Sequence, residues 1–238
     1  MLRNSFCSLA LAWCLVSFAP HSVAGPNLSV HQRDERPFAI EQHEQFRRSL
    51  LEQKPRILFI GDSLTSRWQS TGKSYWLHHF EPLGAFDVGI EGETSAGLLW
   101  RIQDGEFDGI SPEKIVLLIG SSSISSNPAN IAEGVIAVLR QLERAFPAAT
   151  ILCLGILPRD SLGSPIREKV AEVNQMVARR LAEDPSFGHV HYADLGYVLL
   201  ADDGSFRPGY MMPDQDHMLA PAYDALGAAI LPLLSVRR

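Results

Sequence analysis

The sequence predicts an α/β fold, with parallel strands joined by helices that cover both faces of the sheet. Two observations carry this. Short apolar runs alternate five times with longer segments whose apolar residues recur at helical spacing. That alternation implies parallel strands linked by right-handed crossovers. The runs at residues 56–60, 115–119 and 150–155 are almost continuously apolar, which is how strands buried on both faces read.

The elements follow in order. Residues 1–24 have the pattern of a cleavable secretory signal peptide: Arg3 at the start, an apolar stretch over 6–18, and Ser22-Val23-Ala24 before Gly25. The stretch is shorter than a membrane span needs, so no stable membrane insertion is expected, and the chain is expected to be secreted or periplasmic. Residues 25–54 are polar and hold Pro26 and Pro37. They read as an N-terminal arm followed by a helix over 40–53, ended by Lys54-Pro55. Residues 55–238 form one domain, with no internal repeat and no linker. Its first strand, 56–60, runs into Gly61-Asp62-Ser63-Leu64. A helix is expected over 63–69, a short one over 75–80, and a second strand over 86–90. A helical segment over 94–102 puts Leu98, Leu99 and Ile102 on one face. The third strand is 115–119. Asn127-Pro128 opens a helix as N-cap and first-turn proline, and Pro147 ends it. The fourth strand, 150–155, is followed by a helix over 166–183 and a fifth strand over 190–194. A loop over 196–213 precedes the last helix, 221–234.

Charge and cysteine usage exclude several classes. Loss of residues 1–24 removes one arginine and no acid, leaving 20 Lys and Arg against 27 Asp and Glu, a net charge of −7. An acidic chain without a basic cluster argues against nucleic-acid binding. Cys7 and Cys14 leave with the leader. Cys153 remains, in an apolar run, and reads as a small buried hydrophobe rather than a reactive thiol.

Ser63 closes the first strand, at the sheet edge where open α/β folds place their ligands. Gly61 allows a sharp turn there, and Asp62 is a helix-opening residue. An alcohol needs a base, a group to orient that base, and donors for the oxyanion. The polar stretch Met212-Pro213-Asp214-Gln215-Asp216-His217 lies between the fifth strand and the last helix. Asp214 and His217 are three residues apart, so one turn can hold both on one side, with the carboxylate fixing the imidazole tautomer. Each motif alone is common; their order along the fold gives them weight.

With these stretches in place the chain resembles the GDSL or SGNH hydrolases. Within that family it is most similar to the platelet-activating-factor acetylhydrolase catalytic subunits and their bacterial relatives. The resemblance covers residues 54–234 and rests on Ile60-Gly-Asp-Ser-Leu64, Val88-Gly-Ile-Glu-Gly92 with Leu99-Trp-Arg101, Val116-Leu-Leu-Ile-Gly120, Leu154-Gly-Ile-Leu-Pro-Arg159, Arg167-Glu-Lys169 with Val173-Asn-Gln175, and Asp214-x-x-His217. It implies a flavodoxin-like three-layer α/β/α sandwich with a five-stranded parallel sheet. It implies Ser63 as nucleophile, His217 as base and Asp214 as its orienter, with the backbone N–H groups of Ser63 and Gly92 in the oxyanion hole. It also implies hydrolysis of small-molecule esters with short, often acetyl, acyl groups, without metal or cofactor. A homodimer is left open.

Two positions depart from the family pattern. The family carries an asparagine two residues after the glycine at position 120, as third oxyanion donor; here Ser122 stands there. A hydroxyl can donate but is shorter and rotates freely. Before Gly92 the family has a second glycine; here Glu91 carries a carboxylate, expected to point to solvent. The missing asparagine makes a catalytically impaired binding protein of the same fold the rival reading; a lysophospholipase or thioesterase is a substrate variant of the first. Among other residues, Arg159 contacts substrate or pairs with Asp160 or an interface. His78, His79, His189 and His191 read as packing or surface groups, since no matching ligand spacing surrounds them. Met211, Met212, Phe206 and Tyr210 read as packing rather than pocket wall, and Asn174 as structural.

Overall fold

The computed structural model describes residues 32–235. The expected leader and the first part of the arm lie outside them. Five parallel strands form one sheet: β1 (Ile57–Gly61), β2 (Ala85–Asp87), β3 (Lys114–Leu118), β4 (Thr150–Leu154) and β5 (Val190–Ala193), in the order β2-β1-β3-β4-β5. Around them lie α1 (Pro37–Gln53), α2 (Ser63–Ser66), α3 (Lys73–Tyr75), α4 (Ser95–Gln103), α5 (Pro128–Ala145), α6 (Pro165–Glu183) and α7 (Ala220–Ser235).

Alternation along the strands sorts side chains into two cores. Leu58 and Ile60 of β1, with Ile115, Leu117, Ile151 and Cys153, pack against α4, α5, α6 and Leu50 of α1. Ile57 and Phe59, with Val116, Leu118, Leu152 and Leu154, face the other way, against α7 and the segment after Ser63. Both faces of the central strands β1, β3 and β4 are therefore buried, which explains their apolar runs. Burial pushes the Cys153 thiol up to about 12, so it stays a neutral hydrophobe.

Some boundaries differ from the sequence reading, each for a local reason. α1 starts at Pro37, because proline at the first helical position is a start signal rather than part of a loop. The helix expected over 63–69 divides into α2 and a 3₁₀ turn, Arg67–Gln69. The helix expected over 75–80 is α3 running into a π-helical turn, Trp76–Phe80. β2 is regular only over Ala85–Asp87, although Val88 and Ile90 continue to bond the carbonyls of Phe59 and Gly61. The loop over 196–213 contains a 3₁₀ turn, Gly196–Leu199. Gly61 is required by space, not by turn geometry: a Cβ there would lie 2.0 Å from the Leu118 carbonyl oxygen.

The strand order reverses beside β1. The chain goes outward to β2, then back across β1 to β3, which opens a crevice beyond the carboxyl ends of β1 and β3.

Candidate active site

The crevice holds a cavity of about 380 Å³ lined by Ser63, Gly92, Ser121, Ser122, Arg159 and His217, with Leu64, Ile124 and Leu157 as its apolar wall and Glu91 and Asp216 at its sides. The sequence-predicted residues thus meet from four separate loops.

Ser63 is the first residue of α2. Asp62 caps that helix, its Oδ1 accepting the Leu64 N–H at 3.1 Å. Its Oδ2 accepts the Ser121 hydroxyl at 2.6 Å, so the turn after β1 is tied to the turn after β3. Complete burial pushes the Asp62 carboxyl upward, opposed by the Ser121 and Leu64 hydrogen bonds and by Arg159. Behind the nucleophile, Tyr223 of α7 donates its hydroxyl to the Leu64 carbonyl at 2.9 Å. The capping role expected for Asp62 is observed; the contributions of Ser121 and Tyr223 carry no sequence signal, since one is a serine among serines and the other an aromatic in an apolar helix.

Asp214 and His217 sit in the turn just before α7 rather than in the helix. Gln215 between them takes a left-handed φ of 54°. Asp214 Oδ1 accepts the N–H groups of Asp216 and His217 at 2.9 and 3.0 Å, and Oδ2 accepts from His217 Nδ1 at 2.7 Å. The Nδ1 proton held this way leaves Nε2 as the basic nitrogen. Partial burial works against ionisation of Asp214, but the hydrogen bonds from His217 and the two N–H groups outweigh it, and the carboxyl is held down at about 2. It is thus ionised wherever His217 can act as a base. Short bonds hold the turn: Met212 N–H to the His217 carbonyl at 2.8 Å, and Leu219 N–H to the Tyr210 carbonyl at 2.7 Å.

Gly92 has φ of +71°, and a Cβ there would lie 2.6 Å from Arg36 Nη1, so a side chain would be strained and would displace the guanidinium. Ser122 lines the cavity. Glu91 lines the rim of the cavity, half-exposed and paired with Arg67, whose Nε donates to it at 2.9 Å, rather than simply pointing to solvent. Arg159 pairs with Asp216 rather than Asp160. Its Nε donates to Asp216 Oδ1 at 2.8 Å and its Nη1 to the Ser121 carbonyl at 2.8 Å. Asn174 is structural: it exchanges two 2.9 Å hydrogen bonds with the backbone of Ile156. Phe206, Tyr210 and Met211 pack on the core beneath α7. Among the described residues no group of three or more metal-ligating side chains occurs, and no helix is long and apolar enough to cross a membrane.

An open parallel sheet with a serine after its first strand and an Asp–His turn before its last helix defines a class, the serine-dependent acyl hydrolases built on a flavodoxin-like sandwich. The chain belongs to the GDSL-like lipase/acylhydrolase family, matching it over residues 59–225. The α2 subunit of platelet-activating factor acetylhydrolase IB from Homo sapiens is 32% identical over 166 residues, 70% of this chain and 70% of that one. Among solved structures, a catalytic mutant of an acetylxylan esterase from Geobacillus stearothermophilus superposes with a TM-score of 0.61 at 14% identity, covering 76% of this chain and 94% of that one. A carbohydrate acetylesterase from Sinorhizobium meliloti superposes with a TM-score of 0.57 at 17% identity, covering 76% and 99%.

Proposed function

We propose that the chain is an exported serine esterase that removes short acyl groups, acetyl above all, from polar alcohols such as carbohydrates. The observation that carries the catalytic part is the Asp214–His217 hydrogen bond of 2.7 Å placed on the same cavity as Ser63. Ser63 Oγ attacks the acyl carbonyl while His217 takes its proton. The backbone N–H groups of Ser63 and Gly92 stabilise the oxyanion, with Ser122 in the third position. His217 then protonates the leaving alcohol, and a water activated by the same imidazole releases the acid. The substrate part is supported by the cavity: three apolar side chains offer room for a short acyl group, while Glu91, Arg159 and Asp216 suit a hydroxylated leaving group. The acetylesterases among the structural neighbours, and the acetylhydrolase relatives, point the same way.

The test compares acetyl, butyryl and octanoyl p-nitrophenyl esters, then an acetylated xylose, platelet-activating factor and an acyl thioester. Acetyl esters and the acetylated sugar are the expected best substrates, and Ser63→Ala is expected to be inactive on all of them. A preference for octanoate, the ether lipid or the thioester overturns the substrate assignment; full activity in Ser63→Ala overturns the mechanism. Export is supported by the sequence of residues 1–24 alone. Its test is N-terminal sequencing of the protein recovered outside the cytoplasm, expected to begin at or near Gly25; recovery only of chains beginning at Met1 refutes it.

A further inference from the structure

We infer that Arg36 at the start of α1 and Arg101 of α4, the latter backed by α1 through Glu106 and His43, position the active site: they clamp the loop of residues 88–93, which carries Gly92, from two sides. This rests on the proposed role of Gly92 as an oxyanion donor.

The outer side of the clamp is Arg36, the residue that caps α1. Its Nη1 donates to the Glu91 carbonyl at 2.6 Å. Asp34 fixes the guanidinium, accepting Nε at 2.8 and 2.9 Å. The guanidinium lies against the Gly92 Cα, close enough that a Cβ would meet it at 2.6 Å. The inner side is Arg101 of α4, only 1% exposed. Its Nη2 donates to the Val88 carbonyl at 2.8 Å and its Nη1 to Glu93 Oε2 at 2.9 Å. One planar guanidinium therefore grips both ends of the loop, which only arginine's fork of donors can do. Behind it, Glu106 accepts Nε at 2.8 Å and Nη2 at 2.5 Å. Glu106 Oε2 lies 2.6 Å from Nδ1 of His43, a buried residue of α1 whose Nε2 is 3.0 Å from Asp104. Contacts thus run unbroken from α1 through Glu106 and Arg101 to Glu93, the neighbour of Gly92.

The loop needs such support. Gly92 is left-handed, and the loop closes on itself through the Glu93 N–H to Ile90 carbonyl bond of 3.0 Å. A donor that stabilises an oxyanion works because it is fixed before the charge develops, and small misplacements are costly. Loosening the clamp therefore raises the barrier and leaves ground-state binding nearly untouched. Arg36 and Arg101 are positioning residues, acting through Gly92.

The test uses Arg36→Ala and Arg36→Lys, changes at a partly exposed side chain that leave the core intact. Steady-state rates on p-nitrophenyl acetate are combined with inhibition by phenylboronic acid and by acetate. In the boronate complex a bond forms from Ser63 Oγ to boron, the serine proton passes to His217, and boron becomes tetrahedral and anionic, like the intermediate. Arg36→Ala is expected to lower kcat about tenfold with KM within about twofold, and to weaken boronate inhibition by the same factor. Acetate inhibition is expected to stay unchanged, and lysine, which can still reach the Glu91 carbonyl, to restore part of the loss. Unchanged kcat in Arg36→Ala overturns the inference. So does a change confined to KM, which makes the arm a substrate contact, or a fall in kcat matched by a fall in titratable active sites. Ser63→Ala separates the layers: if it is inactive while Arg36→Ala is normal, the clamp alone fails; if it is fully active, the underlying mechanism fails.

Discussion

The two halves of the site are built in opposite ways. The base half is a surface turn: Asp214 and His217 are 47% and 24% exposed, and bonds within a few residues hold them. The nucleophile and oxyanion half rests on buried charge: Glu93 and Arg101 are 1% exposed and Glu106 is fully enclosed. The difference follows from the tasks. The imidazole must exchange protons with an incoming alcohol and a water, so it stands near solvent. The oxyanion donors must not move while charge develops, so they are set in a rigid, low-dielectric frame where hydrogen bonds to charged groups are strong.

The largest effect that tests this contrast is chemical and local. Asp214→Asn is expected to cost about 10³–10⁴ in kcat, through loss of the tautomer that exposes Nε2, with the melting temperature nearly unchanged because the turn is exposed. Activity of the unaltered chain is expected to fall on acidification, as His217 binds the proton it must accept. A pH–rate profile and a thermal melt on the same preparation read both. An Asp214→Asn protein that is unfolded rather than inactive would dissolve the distinction between the halves.

The second effect is thermodynamic. Glu106→Ala strips Arg101 and His43 of their shared partner and leaves buried charge only partly paired, through Glu93 and Asp104, a loss of about 3 kcal/mol, read by urea unfolding. Burial opposes protonation of His43, yet its hydrogen bond to Glu106 prevails and its pKa is raised. By linkage, this group stabilises the fold fully below its unfolded pKa, and the contribution is lost as pH rises through the folded one. Glu106→Ala is therefore expected to flatten the decline in stability above neutrality as well as lower its level.

The third effect lies where the halves meet. Ser122→Asn supplies the carboxamide that the family pattern carries at this position. One oxyanion donor is worth about 10²–10³ in kcat, and a serine hydroxyl or a water it holds already recovers part of that. The expected gain is about tenfold in kcat with little change in KM, and Ser122→Ala is expected to lose activity. If neither variant moves kcat, Ser122 faces away from the oxyanion.

How far these features were legible in the sequence depends on how local they are. All five strands, and the meeting of Ser63 with the Asp214–His217 pair at one crevice, could be read directly, because strand patterning and a three-residue spacing are written along the chain. The sequence reading starts the first helix at residue 40, three residues late, because it places Pro37 in the arm. The sequence leaves the partner of Arg159 open among substrate, Asp160 and an interface, and does not name Asp216, because a sequence neighbour is easier to see than a partner 57 residues away. The buried cluster of His43, Glu93, Arg101 and Glu106 was invisible for the same reason. Each member is an ordinary polar residue in its own segment, and only the packing of α1 and α4 around the loop after β2 makes them one unit.

The smallest effect concerns Asp87, which ends β2 and opens the same loop. Its Oδ1 accepts the Gly89 N–H at 2.8 Å, and this bond and the Gln69 side chain favour the ionised carboxyl. Unlike the neighbouring glutamates, it has no cation in contact, and burial pushes its carboxyl up to about 8. The sign follows from proton binding. An unfolded aspartate releases its proton near pH 4, whereas the folded one keeps it to about pH 8. The native state then binds more protons across that window, so stability falls as pH rises through it, by at most about 1.4 kcal/mol per pH unit. Asparagine preserves the acceptor for Gly89 and does not titrate. Asp87→Asn is therefore expected to be more stable than the unaltered chain by a margin that grows by about 1 kcal/mol between pH 6 and pH 7, or about 2–4 °C in Tm. Parallel Tm curves for the two proteins between pH 6 and pH 8 would show that Asp87 is ionised in the fold, and that this end of the loop, too, rests on a compensated charge.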